Sequence, residues 1–236
     1  MENSIQILST KKIGNSLIKI AAARNICIDE LNFIETQESI SEETKRGILE
    51  LSREMTTAVF TSSNAVNAVG KIVEEQTNWK IFCIEPATRK TVEIVFPNSS
   101  IAASAKNAEE LAGKIIEDKS VKQIVFFCGN QRRDLLVEKL KSNGIEVEEF
   151  VVYKTLEKPQ TISKHYDGIL FFSPSAVRSF FAKNKLDTTT QIFAIGKTTA
   201  DEVKTFSNNS MVISEIPATE NLVDEVIKYF TTIKTV

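Results

Sequence analysis

Four hydroxyl-bearing stretches are the residues best placed to do chemistry in this chain. They are Thr61-Ser62-Ser63, Thr88, Ser173 with Ser175, and Thr198-Thr199. Each follows a short apolar run and precedes or opens a helix-forming one. In an open α/β sheet, ligands bind beyond the carboxyl ends of the strands. The helix that follows such a strand offers unpaired N–H groups and a partial positive charge. Hydroxyls add hydrogen-bond donors there without bulk, and such a collar suits carboxylates or phosphates. Taken singly, each hydroxyl reads equally well as a helix N-cap. Their recurrence at matched strand ends is what favours a ligand.

Two further stretches join them. In "FCGNQRRD" (127–134) a turn at Gly129 is expected to aim the N–H groups of Asn130 and Gln131 at an anion, while Arg132 and Arg133 read as helix-surface charges. Tyr153, in "EFVVYKTLE", reads as strand packing or, in a cleft, as a donor of a proton to a leaving group. No Asp/Glu pair is singled out by spacing. His165 is the only histidine and lies in polar "SKHYDG", so it is expected at the surface. A Ser-His-Asp triad and a multi-histidine metal site are thereby excluded. Cys27, Cys83 and Cys128 are far apart in apolar surroundings and read as small buried hydrophobes; without paired cysteines zinc is not expected. Neither a Walker sequence nor G-x-G-x-x-G occurs, which counts against a nucleotide- or flavin-binding protein.

The elements that must position these residues follow from the pattern of the whole chain. Its 236 residues are 42% apolar and 25% charged, ordinary for one large or two small globular domains. Net charge is −2 and the cations are dispersed, against a nucleic-acid surface. No run approaches a membrane span, and "MENSIQILSTKKIG" lacks the pattern of a secretory signal; a cytoplasmic protein is expected. Short apolar runs alternate with helix-period segments, which predicts parallel sheets covered by helices on both faces. Segments 26–36 and 145–156 read as long, more polar strands, fit to cross between lobes. "ATRKTVE" reads as a short helix and "IVFPN" (94–98) as a strand.

An internal repeat sets the architecture. Residues 59–98 align without a gap on 170–209, and eleven of the forty pairs are identical, among them Phe60/Phe171, Ser62/Ser173, Ala65/Ala176, Phe82/Phe193 and Thr88/Thr199. Two or three identities, roughly, would arise by chance at ordinary residue frequencies. The chain is therefore read as two related α/β lobes. Too few strands follow the second copy to complete a sheet, so "IQILS" (5–9) is needed there. That gives one discontinuous lobe, 1–36 with 157–236, and one inserted lobe, 37–156, with crossovers near 30–37 and 150–158. Two such lobes facing each other would put two hydroxyl collars around one cleft.

Taken together, "FTSSNAV", "GNQRRDLLVEKLKSNGIEVEEFVVYKT", "FFSPSAVRSFF" and "IGKTTADEV" resemble the uroporphyrinogen-III synthase family over nearly the whole chain. The resemblance implies two flavodoxin- or Rossmann-like lobes joined by a two-stranded β-ladder. It implies conversion of hydroxymethylbilane, a linear tetrapyrrole with eight carboxylates, to uroporphyrinogen III. Water is lost and ring D is inverted through a spiro intermediate, with no cofactor and no metal. Tyr153 then stands at the family's tyrosine position as the acid assisting loss of the hydroxyl. Thr61, Ser62, Ser63, Thr88, Gly129, Asn130, Gln131, Ser173, Ser175, Gly196, Lys197, Thr198 and Thr199 become the expected substrate contacts. Three departures stand out: Glu85 replaces a glycine, Cys128 stands where arginine is frequent, and Lys11 and Lys12 stand where arginine is common. The expected partner is the substrate alone, with no nucleic acid or membrane, and the chain acting as a monomer. The competing reading is a non-catalytic two-lobed module that binds a small anion.

Overall fold

The computed structural model describes residues 4–73, 77–131 and 134–233; Arg132 and Arg133 lie outside them. The chain divides into two compact units, Met1–Glu35 with Leu156–Val236, and Thr36–Thr155.

The first, discontinuous unit holds β1 (Ile5–Ser9), α1 (Asn15–Ala22) and β2 (Ile26–Glu30), then β9 (Gly168–Phe171), α7 (Pro174–Phe181), β10 (Gln191–Ala194), α8 (Lys197–Lys204), β11 (Met211–Ile213) and α9 (Thr219–Ile233). Its described strands form one sheet in the order β11-β10-β9-β1-β2, parallel throughout. Leu8 pairs with Ile169, so the first strand of the chain sits among the last. Alternation along each strand sends successive side chains to opposite faces. Leu8, Ile169, Phe171 and Ile192 enter one core layer and Ile7, Leu170 and Phe193 the other. Burial on both faces explains the unbroken apolar runs.

The second unit holds α2 (Glu42–Ser52), β4 (Thr57–Phe60), α3 (Ser63–Gly70), β5 (Lys80–Ile84), α4 (Ala87–Val95), β6 (Ser100–Ala105), α5 (Ala108–Glu117), β7 (Gln123–Gly129) and α6 (Leu135–Ser142). Two strands, β3 (Ile34–Glu38) and β8 (Glu146–Glu157), run across the unit boundaries and lie beside one another. The sheet order is β3-β8-β7-β4-β5-β6. Phe60, Trp79 and Phe127 stack in one of its core layers, with centroids 5.1 and 5.6 Å apart along the stack. The Trp79 indole N–H is satisfied by the Leu51 carbonyl at 2.9 Å. An offset of 111 residues carries β4 onto β9 and α3 onto α7 residue for residue, so the repeat is structural. Among the described residues no helix is long and apolar enough to cross a membrane.

Three expectations are corrected. Segment 26–36 is two strands, not one. Its middle turns inward, where Phe33 is fully buried against Phe180 at 5.2 Å, because β2 and β3 belong to different sheets. The apolar run at 94–98 is not a strand. Val92, Val95 and Phe96 follow a helical period, with Val92 and Phe96 buried and Val95 packed where Gly70 has no side chain. The true strand there is β6, whose small, half-polar "SIAASA" carries little β signal. Finally, Cys27 is exposed, whereas Cys83 and Cys128 are buried.

Candidate functional site

At the carboxyl end of the second unit's sheet lies a cavity of about 330 Å³. Thr61, Ser62, Gly129, Gln131 and Tyr153 line it, all expected from the sequence. Ile84, Ala108, Phe126 and Leu136 supply apolar wall, and Asn107 a polar edge. These five were not foreseen. Asn107 carried a signal, being followed by Ala-Glu-Glu at a helix start; its side chain caps α5 by accepting the Glu110 N–H at 2.9 Å. The aliphatic wall residues look like any other core positions in the sequence.

Tyr153 is the most elaborately held side chain in the cavity. The pairing of β7 with β8 slips one residue between Cys128 and Gly129, so that Cys128 faces Val151 and Gly129 faces Tyr153. A bulge of this kind re-aims the side chains that follow it. Val152 and Tyr153 consequently both pack toward the same core layer. The tyrosine ring then crosses directly over Gly129. A Cβ at that position would lie 2.5 Å from Tyr153 Cε2 and Cζ and 2.8 Å from its hydroxyl, so only glycine admits the ring. Burial raises the pKa of the Tyr153 hydroxyl above the ordinary tyrosine value, and the neighbouring Ser62 side chain offsets this in part. Tyr153 therefore keeps its proton at neutral pH and can give it away.

The glycine turn does not behave as expected. The Asn130 N–H donates to the Tyr153 carbonyl at 3.1 Å, and Asn130 Oδ1 accepts the Thr155 N–H at 2.9 Å. Gln131 Nε2 donates to the Thr155 carbonyl at 3.2 Å. The turn is strapped to β8, so the Asn130 N–H holds the tyrosine-bearing strand instead of facing an anion.

The repeated serines serve first as caps. Ser62 Oγ accepts the Asn64 N–H at 3.1 Å, and Ser173 Oγ accepts the Ala176 N–H at 3.2 Å. Ser173 and the buried Ser175 share a hydrogen bond at 3.1 Å. Ser63 accepts from the Thr91 hydroxyl at 3.0 Å, which ties α3 to α4. Thr88 is buried in the first turn of α4 and is not among the residues lining the cavity. The Glu85 carboxylate accepts a hydrogen bond from Ser104, and Ser104 in turn accepts from Arg89 at 2.9 Å. Its charge is thus engaged toward β6.

The α8 start lacks a serine cap, as the start of α4 does. Gly196 provides no side-chain cap, so the first N–H groups of the helix are left for solvent or a ligand. Lys197 is exposed there, Thr198 is half-buried and Thr199 is buried. His165 is exposed, with Nδ1 2.9 Å from Asp187 Oδ2.

Comparison with known proteins gives one consistent result. The family described as "Uroporphyrinogen-III synthase HemD" matches residues 17–224. Uroporphyrinogen-III synthase of Schizosaccharomyces pombe is 28% identical over 162 residues, 63% of this chain and 62% of that protein. Its counterpart in Saccharomyces cerevisiae is 27% identical over 175 residues, 63% of this chain and 64% of the relative. The aligned stretches thus span somewhat under two thirds of either relative's length. Among solved structures, uroporphyrinogen-III synthetase of Helicobacter pylori superposes with a TM-score of 0.71 at 18% identity, covering 95% of this chain and 99% of that one. A uroporphyrinogen III synthase mutant of Thermus thermophilus gives 0.68 at 13% identity, covering 97% and 99%.

Proposed function

Since this chain belongs to the uroporphyrinogen-III synthase family, we propose that it closes hydroxymethylbilane to uroporphyrinogen III. Tyr153 donates its proton to the departing hydroxyl, which leaves as water. The azafulvene-like electrophile that remains is attacked by ring D, and ring D is inverted through a spiro intermediate. The observation that carries this reading is the placement of Tyr153: proton-bearing, beside Ser62, and seated over Gly129 in a cavity with an apolar wall. The apolar wall of Ile84, Phe126 and Leu136 suits a pyrrole ring, and shields the reacting carbon from water that would trap the electrophile. Neutral donors, Thr61, Ser62 and Gln131, receive polar groups at its edge. In the first unit the uncapped α8 start, with Lys197, Thr198 and Thr199, holds acid arms, and the Ser173/Ser175 pair adds hydroxyls. Positioning of this kind supplies most of the rate when a flexible thread must cyclise. No cofactor enters the scheme, and the chain acts as a cytoplasmic monomer.

Freshly generated hydroxymethylbilane supplied to the purified protein, followed by oxidation and isomer separation, tests the proposal. The III isomer is expected well above the spontaneous I background. Production of the I isomer alone would return the chain to the reading of an anion-binding module.

A further inference from the structure

Lys11 follows β1 at the carboxyl end of the sheet. The Thr10 N–H continues the strand by donating to Leu170 at 3.1 Å, and the Ser9 hydroxyl donates to the Lys11 carbonyl at 2.6 Å. The backbone beneath the side chain is therefore fixed. The Lys11 ammonium lies 4.3 Å from the centroid of the Phe172 ring and donates to Thr219 Oγ1 at 3.1 Å. Phe172 leads into Ser173, the cap of α7, and Thr219 opens α9. The side chain is half-buried, and burial lowers its pKa; Glu220 opposes this only through space. Among the described residues no carboxylate is within ion-pair distance of Lys11. Lys12, its neighbour, is exposed.

Partly desolvating an ammonium without a counter-charge is unfavourable. An aromatic face and a neutral hydroxyl orient such a cation and leave its charge unmatched. An arriving anion would complete the set.

We propose that Lys11, seated between Phe172 and Thr219, is a carboxylate-binding residue that takes one acid arm of the tetrapyrrole, and that Lys12 is not. This rests on the function proposed above and names one contact of that substrate. A lysine meets a carboxylate as a point charge, so arginine should substitute for it and an isosteric neutral chain should not.

The test is titration of the protein with uroporphyrin III, a stable octacarboxylate, followed by absorbance at low salt. Lys11→Met should weaken binding about tenfold, whereas Lys11→Arg and Lys12→Met should stay within about twofold of the parent. In turnover, Lys11→Met should raise KM by a similar factor with kcat retained. If Lys11→Met is misfolded by circular dichroism, Lys11→Gln replaces it. Wild-type affinity in a folded neutral variant overturns the proposal, as does an equal loss in Lys12→Met or no porphyrin binding by the parent. Failure of the parent to form the III isomer refutes the proposed activity instead, and the titration still decides Lys11.

Discussion

Tyr153 and Gly129 act as a pair. Tyr153→Phe keeps the ring over Gly129 and removes only the hydroxyl with its proton. It should lower kcat by on the order of tenfold to a hundredfold, at or below the lower end of general-acid contributions, with KM little changed in steady-state assays. Gly129→Ala places a methyl group where the ring lies. It should give the same kcat loss and also cost about 1–3 kcal/mol in thermal or urea unfolding, as overpacking does. An intact Tm together with full turnover in Gly129→Ala would show that the ring is not needed where it sits. The tyrosine and the glycine were both legible as sequence signals. Their contact was not, because it depends on a one-residue slip in strand pairing that no local pattern announces. A second tyrosine supplies a pH signature. Tyr166 is buried and donates to Asp29 Oδ2 at 2.9 Å. Burial first, and then the neighbouring carboxylate, raise its pKa. The folded state thus holds that proton more tightly than the unfolded chain. The stabilisation is fully present below the unfolded value of about 10 and declines as pH rises beyond it. Denaturant midpoints measured from pH 8 to 11 should fall on the alkaline side, and fall less in Tyr166→Phe.

Among the elements, α3 and α4 decide how the hydroxyl segments after β4 and β5 are presented. Gly70 closes α3 against Val95 of α4, where an added Cβ would stand 2.3 Å from Val95 Cγ1. Gly70→Ala should therefore destabilise by about 1–3 kcal/mol, and Gly70→Ala with Val95→Ala should recover part of the loss, as read from urea unfolding. The same packing explains why 94–98 is not a strand. Three apolar residues in a row look like a strand, yet here they are the last turn of an amphipathic helix whose other apolar position, Val92, lies one turn back. The strands and Ser-capped helix starts were readable because they are local: Ser62 and Ser173 both cap where the pattern placed them.

Across the whole molecule, the discontinuous unit needs both chain ends, since β1 is hydrogen-bonded between β9 and β2. The inserted unit is continuous and owns two core layers. A fragment of residues 36–155 should fold alone, with a cooperative thermal transition by circular dichroism, whereas residues 156–236 alone should not. A non-cooperative 36–155 fragment would show that its cores do not suffice.

Composition, apolar periodicity and the 111-residue repeat determine on their own that this chain makes two related, helix-covered parallel sheets, because the burial period and the capping residues act over a few neighbours. The tertiary structure alone decided which donors remain for a ligand. Asn130 looked like an anion donor and is bound to the Tyr153 carbonyl, and of two adjacent lysines only Lys11 is drawn between a ring and a hydroxyl. Such outcomes depend on partners more than a hundred residues away or across a strand pair, and hydrogen bonding is decided by what is within about 3 Å in space, not by what is next in the chain.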